Sequence, residues 1–390
     1  MQNLFEEAHA IESDIVEWRR KLHRTPELGI DLPLTSAFVQ RTLAEFGIPF
    51  TTSVNGSCVT ALLGSGEKCI LLRSDMDGLP IEEESGEPFA AENGRMHACG
   101  HDMHAAILLG AARLLKDRES ELKGTVKLVF QPGEETFEGA QAAIDEGLLE
   151  NPHVDAAYGM HVFGIQPLNT IGCNDGAPLG GVYGFRIVIK GHGGHGSMPE
   201  TCVDPINAGV HIHLALQELI ARETSAMDNA VLTIGKFQAG EASNVIPDSA
   251  VLEGTLRTFD MGVHDYLVGR IGEVVQGVAA TYRAQASIEV LSDIPPLICD
   301  AETVATCKEA VKEALGGVSI LDGLKAMGSE DFALIARRVP SAFFSLGAGV
   351  ENPEERLPQH NPRIRFNEKA LAQGAAAYAA AAMAWLEKNA

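Results

Sequence analysis

Apolar groups at Leu4, Ile11, Ile15, Trp18 and Leu22 recur at helical spacing and predict a helix over 4–24. Thr25-Pro26-Glu27 ends it, because the residue before a proline is pushed out of the helical region. A second helix is predicted over 34–46, stopped by Gly47 and Pro49. Apolar runs at 59–63 and 69–73 flank Gly64-Ser65-Gly66, which is a hairpin signal. A helix over 105–115 and a strand of alternating type over 125–130 follow. This alternation of strands and helices predicts an α/β layer fold. The texture changes near Gly180-Gly181. Strand patterns at 183–190, 230–237, 250–258 and 286–291 enclose helical patterns at 205–222 and 263–282. Their order, β-α-β-β-α-β, is that of a split βαβ, ferredoxin-like unit, and it ends at Asp293-Ile294-Pro295-Pro296. Helix and strand patterns then resume and finish in an alanine-rich helix at 371–385. The fold class is therefore α/β. A larger domain over 1–179 and 294–390 has a central mixed sheet flanked by helices, and a smaller α+β domain over 180–293 is inserted into it.

At 390 residues the chain can build a large core, and 45% hydrophobic with 21% charged residues suits a globular enzyme. The net charge of −23 repels phosphate backbones and anionic lipid, so neither nucleic acid nor a membrane is expected as a partner. The seven cysteines are scattered and resemble no disulfide framework, which fits a reducing, cytoplasmic location. The acidic start MQNLFEEAHAIESD lacks the basic and apolar regions of a signal peptide. The 371–385 stretch is too weakly apolar for a membrane span.

Five short segments hold much of the metal-capable chemistry. Met96-His97-Ala98-Cys99-Gly100-His101-Asp102-Met103-His104 lies in a loop that opens a helix. In an extended loop Cys99 and His101, two apart, point to one side, and thiolate and imidazole both ligate borderline divalent metals. Gln131-Pro132-Gly133-Glu134-Glu135 follows a strand, where open α/β sheets place their sites. One carboxylate there can ligate while its neighbour acts as a general base. His161 lies in an apolar strand, His360 in a Pro-bounded loop, and Asp77 in Ser74-Asp75-Met76-Asp77-Gly78 after another strand. Each segment alone has a plainer account: a buried Cys, a solvated acidic turn, a core histidine, a surface loop, a turn-forming Asp before Gly. Together they supply enough ligands for two metals sharing a water, with a carboxylate in reserve. Gly191-His192-Gly193-Gly194-His195-Gly196 matches the dinucleotide fingerprint, but Pro199 follows and the next helix starts late, so it is set aside.

The segments RRKLHRTPELG, SDMDGLPI, MHACGHDMHAAILLGAA, VFQPGEE, GMHV, KGHGGHGSMPE, SNVIPDSA, GTLRTFD, GSEDFA and QHNP run over nearly the whole chain. They resemble the M20 family of metallopeptidases and amidohydrolases. The resemblance is to the branch of hippurate hydrolases, N-acyl-L-amino-acid amidohydrolases and auxin-conjugate hydrolases. It implies two divalent metal ions, zinc or manganese with cobalt or nickel as further options, held by Cys99, His101, Glu135, His161 and His360. It makes Glu134 the general acid/base, Asp77 the supporting carboxylate, and His195 the group that reaches the substrate carbonyl. Asn244 and Arg257 fall in segments that hold the substrate. The activity implied is hydrolysis of N-acylated amino acids, with a metallo-dipeptidase or another deacylase as the alternative. The larger domain becomes the catalytic one. The inserted domain becomes a lid and the dimerisation surface of a homodimer, with a hinge near Gly180 and Asp293. Asp75 stands where the peptidase branches carry His, which assigns the chain to the cysteine-containing branch. Glu200 follows Ser197-Met198-Pro199 where relatives often carry His.

Overall fold

The computed structural model describes residues 3–390, which form two compact units. The first takes the chain up to Pro178 together with Ile298–Leu324 and Asp331–Ala390, and the second takes Leu179–Leu297 and Lys325–Glu330.

The first unit is built on an eight-stranded mixed sheet. Across the sheet the strands run Phe50–Ser53, Cys58–Gly64, Thr125–Gln131, Cys69–Asp75, Ala156–Pro167, Ser341–Gly349, Thr170–Cys173, Ser319–Leu321. Cys69–Asp75 is parallel to both its neighbours, Thr125–Gln131 and Ala156–Pro167. The chain leaves it for one side and later crosses to the other, which makes the carboxyl ends of these three strands a topological switch point, where open α/β sheets place their sites. Helices His101–Asp117 and Ala370–Asn389 are buried over most of their length. Small residues let them pack closely: a Cβ on Gly110 would lie 2.9 Å from that of Ala375.

Four local expectations need correction. Strands Cys58–Gly64 and Cys69–Asp75 do not form a hairpin, because Thr125–Gln131 lies between them. Cys69–Asp75 is buried along its whole length and needs a neighbour on each side. Gly64 and Gly66 serve a close approach instead, since a Cβ on Gly64 would lie 2.4 Å from the Gly124 carbonyl oxygen. Thr125–Gln131 is buried on both faces rather than alternately, and it accommodates Lys127 by giving its ammonium three backbone carbonyls. The N-terminal helix is two helices, Leu4–Ala10 and Glu12–His23, broken where Ile11 leaves helical geometry (φ −109°, ψ 9°). Cys99 and His101 do not lie on an extended segment: Gly100 takes a left-handed conformation (φ 95°) and His101 begins the helix.

In the second unit an antiparallel sheet runs Ala230–Ala239, Ser249–Thr258, Gly181–Lys190, Gln285–Ile294. Alternate residues Tyr183, Phe185, Ile187 and Ile189 pack with Ile212, Leu216, Leu267 and Ile271. One face of the sheet is thereby covered by helices Pro205–Glu218 and Met261–Thr281. Both helices start on an Asp cap: Asp204 accepts from the Ile206 and Asn207 amides, and Asp260 from the Val263 amide. Among the described residues no helix is long and apolar enough to cross a membrane.

Candidate metal centre

The candidate residues of the first unit meet at the carboxyl ends of its central strands. Asp77 lies just past Cys69–Asp75, Glu134 and Glu135 just past Thr125–Gln131, and His161 within Ala156–Pro167. Cys99 and His101 flank the left-handed Gly100. His360 sits in its loop at φ 66°, with its amide donating to the Ala98 carbonyl at 3.0 Å.

Ligand-capable atoms of Cys99, His101 and His161 all lie within 4.8 Å of one another. The same holds for Cys99, Glu135 and His360, and for His101, Glu134 and Glu135. Cys99 Sγ is 3.3 Å from His161 Nε2. Glu135 Oε1 is 3.4 Å from His360 Nε2 and 3.9 Å from His101 Nε2.

The tautomers follow from the outer contacts. His161 Nδ1 lies 2.7 Å from the Val162 carbonyl, so it carries the proton and leaves the Nε2 lone pair toward Cys99. Burial pushes His161 well below the usual histidine range, which keeps it neutral. Asp77 Oδ1 is 3.3 Å from His101 Nδ1, the carboxylate–histidine arrangement that aims Nε2 inward. Asp77 also accepts from the backbone amides of Glu134 (3.1 Å) and Glu135 (3.0 Å), so it sets the turn that carries both glutamates.

Polar atoms aimed into this cluster are buried without hydrogen-bond partners: Nε2 of His101 and Oε1 of Glu135. Orphaned lone pairs at this depth are costly. Burial also pushes the Cys99 thiol above its usual value, so a nearby cation is what would make it a thiolate. Sulfur, imidazole and carboxylate donors in overlapping sets fit two borderline divalent cations side by side.

His195, Asn244 and Arg257 belong to the second unit. There His195 pairs with Val245 in a two-stranded ladder, and the Gly196 amide donates to the Asn244 carbonyl at 2.8 Å, so these two candidates are neighbours. The Ser197 amide donates to His195 Nδ1 at 3.1 Å, with Ser197 Oγ at 2.8 Å. In the neutral ring the proton is therefore on Nε2. Arg257 is half-buried and contacts neutral groups, Ser329 Oγ at 2.7 Å and the Met327 carbonyl at 3.4 Å.

The sequence reading passed over several buried residues around the centre. Arg73, Asp75, His104, Gln131 and Asp331 form one hydrogen-bonded network. Arg19 and His23 of the RRKLH segment reach Asp102 at 2.6 and 2.9 Å, clamping the start of the helix that carries His101. The available signal was a charge inside an apolar strand, as in Ile70-Leu71-Leu72-Arg73.

Comparison with known proteins places the chain in a family. The description Peptidase family M20/M25/M40 matches residues 71–384. The chain belongs to this family. It is 38% identical over 382 residues to the IAA-amino acid hydrolase ILR1-like 2 of Arabidopsis thaliana, covering 96% of this chain and 86% of that one. It is 36% identical to an N-acetylcysteine deacetylase of Bacillus subtilis (strain 168), covering 97% and 98%. A crystal structure of a dinuclear metal binding peptidase of the M20 family from Bacillus subtilis superimposes with a TM-score of 0.82 at 34% identity, covering 97% and 99%. Family and donor set together make this M20 chain a metal-dependent amidohydrolase or peptidase with a dinuclear divalent-cation centre.

Proposed function

We propose that the chain hydrolyses the amide bond of N-acylated amino acids, such as N-acetyl or N-benzoyl conjugates, to a carboxylic acid and a free amino acid. The observation that carries this reading is the convergence of Cys99, His101, Glu135, His161 and His360 with a second glutamate, Glu134, beside them. The names of the relatives, a hydrolase of amino-acid conjugates and an N-acetylcysteine deacetylase, support the substrate class.

In this reading those five residues hold two divalent cations. Cys99 suits zinc, while the imidazoles and the carboxylate also suit manganese, cobalt or nickel. When bound, the cations supply a water acidic enough to lose a proton near neutral pH and polarise the amide carbonyl. Glu134 accepts that proton on its carboxylate and returns it to the leaving nitrogen. Asp77 holds Glu134 and Glu135 in place through their amides. His195 donates its Nε2–H to the carbonyl oxygen as charge develops there, worth about 3–4 kcal/mol for one such donor. Arg257, whose contacts are neutral, pairs with the free carboxylate of the substrate, and Asn244 helps to hold it. The antiparallel sheet and two helices over 180–293 act as a ferredoxin-like lid that also joins two chains in a cytoplasmic homodimer.

A panel of N-acetyl, N-benzoyl and free-amine dipeptide substrates, assayed before and after chelation, tests the proposal. Acylated amino acids should be cleaved, activity should vanish with the cations, and Glu134→Gln should keep two cations while losing roughly 10²–10⁴-fold in kcat. Preference for dipeptides would favour a metallo-dipeptidase. Hydrolysis indifferent to chelation would end the proposal.

A further inference from the structure

Beneath the centre lies a chain of buried polar groups that supplies none of the five ligands. Arg73 is 1% exposed and forks to two carboxylates, through Nη1 to Asp75 Oδ2 at 2.7 Å and through Nη2 to Asp331 Oδ1 at 2.6 Å. Its Nε reaches Gln131 Oε1 at 3.0 Å. Asp331 Oδ2 accepts from Gln131 Nε2 at 2.7 Å and from the Ala140 amide at 2.9 Å. On the other side Asp75 Oδ1 takes His104 Nδ1 at 2.5 Å, and His104 Nε2 accepts from the Val162 amide at 2.9 Å. Both oxygens of Asp75 and both nitrogens of His104 are thus committed.

The ends of this relay fall beside the ligands. Gln131 opens the turn to Glu134 and Glu135, Asp75 precedes Asp77 by two residues, and His104 lies one helical turn beyond His101. The Val162 amide follows His161 directly, and the Val162 carbonyl accepts a hydrogen bond from His161 Nδ1–H. Asp75, His101 and His104 also bring donor atoms within 4.8 Å of one another, a geometry open to a cation. The Val162 amide takes the one lone pair of His104, and each oxygen of Asp75 already accepts a hydrogen bond, one of them from the Arg73 cation.

We propose that Arg73, Asp75 and His104 are positioning residues: their relay holds the ligand-bearing strands and helix at one spacing and orients His161, while the Arg73 guanidinium fills the place of a third cation. This rests on the dinuclear reading above and extends it to residues that touch neither cation nor substrate.

The test is cation binding to the full chain, read by chelator competition with Zn²⁺ or Mn²⁺ and by the visible spectrum after Co²⁺ loading. The native chain should bind two cations. His104→Leu should weaken binding roughly 10- to 100-fold and shift the cobalt bands, the usual scale for removing an outer partner of a ligand. His104→Gln, which can donate to Asp75 and accept from Val162, should recover much of both. Lys127→Met, a buried change outside the relay, should lower Tm and leave affinity and spectrum alone. If His104→Leu does not fold, Arg73→Lys, which keeps the charge and loses the fork, carries the same expectation. Native affinity and spectrum in the relay variants, or three cations in the native chain, would overturn this inference and leave the dinuclear reading standing. A native chain that binds no cation would remove both.

Discussion

Asp77→Asn tests the centre with almost no change of shape. Asp77 is 1% exposed, and its two oxygens serve different donors: Oδ1 takes the Glu134 amide and faces His101 Nδ1, and Oδ2 takes the Glu135 amide. Asparagine offers one acceptor oxygen and one NH₂. Whichever way the amide turns, its NH₂ meets a backbone N–H of Glu134 or Glu135. One charge-assisted hydrogen bond is then lost, at about 1.5–3 kcal/mol, and the carboxylate charge beside His101 goes with it. At about 1.4 kcal/mol per decade this corresponds to roughly a ten- to hundredfold loss of cation affinity. Chelator competition measures that loss, and hydrolysis of an N-acetyl amino acid at rising Mn²⁺ measures its recovery. Excess cation should restore much of kcat in Asp77→Asn and none in Glu134→Gln, because only the second removes the proton carrier. Native affinity and native rate in Asp77→Asn would refute the role given to this carboxylate.

Three further outcomes are expected. Gly139→Ala places a Cβ 1.6 Å from the Pro132 carbonyl oxygen, so it should displace the Glu134–Glu135 turn, cost about 1–3 kcal/mol and depress kcat; a native Tm and rate would contradict this. Lys127→Met strips three buried carbonyls, those of Leu148, Glu150 and Pro152, of their shared donor, and urea titration should register a loss of roughly 2–4 kcal/mol with cation content unchanged. For His23, burial opposes the charged ring, but the Asp102 charge and the hydrogen bonds to Asp102 and Glu83 outweigh it and raise the pKa above 6.5. Its charged form therefore stabilises the fold in full below about pH 6.5, and that contribution fades as pH rises through the raised value. The stability gap between the native chain and His23→Gln should narrow across that window in urea titrations, and a gap constant with pH would contradict the assignment.

Much of the fold was legible because burial imposes periodicity. The strands and helices of the second unit follow their patterns within a few residues, since one face of each packs on a single core. The first unit was harder. Its central strands are buried on both faces, so alternation disappears, and the glycines at 64 and 66 that suggest a turn in fact let two backbones approach. The ligand candidates were legible because Cys, His and Glu in short fixed segments have few other uses together. The relay under them was not, because Arg73, Gln131 and Asp331 are brought together only by strand pairing and a link spanning 258 residues.

By itself the sequence determined the kinds of donor atom available, the apolar faces that drive the two units to fold, and membership of the M20 family. Only the tertiary structure decided which histidine nitrogens point inward, since tautomers follow from the partner each ring meets across the chain. It also decided which partners Asp75 and His104 meet: Arg73 and His104 for the carboxylate, Asp75 and the Val162 amide for the imidazole. Neutral imidazole has a single lone pair, and in His104 the backbone amide of Val162, 58 residues away, takes it.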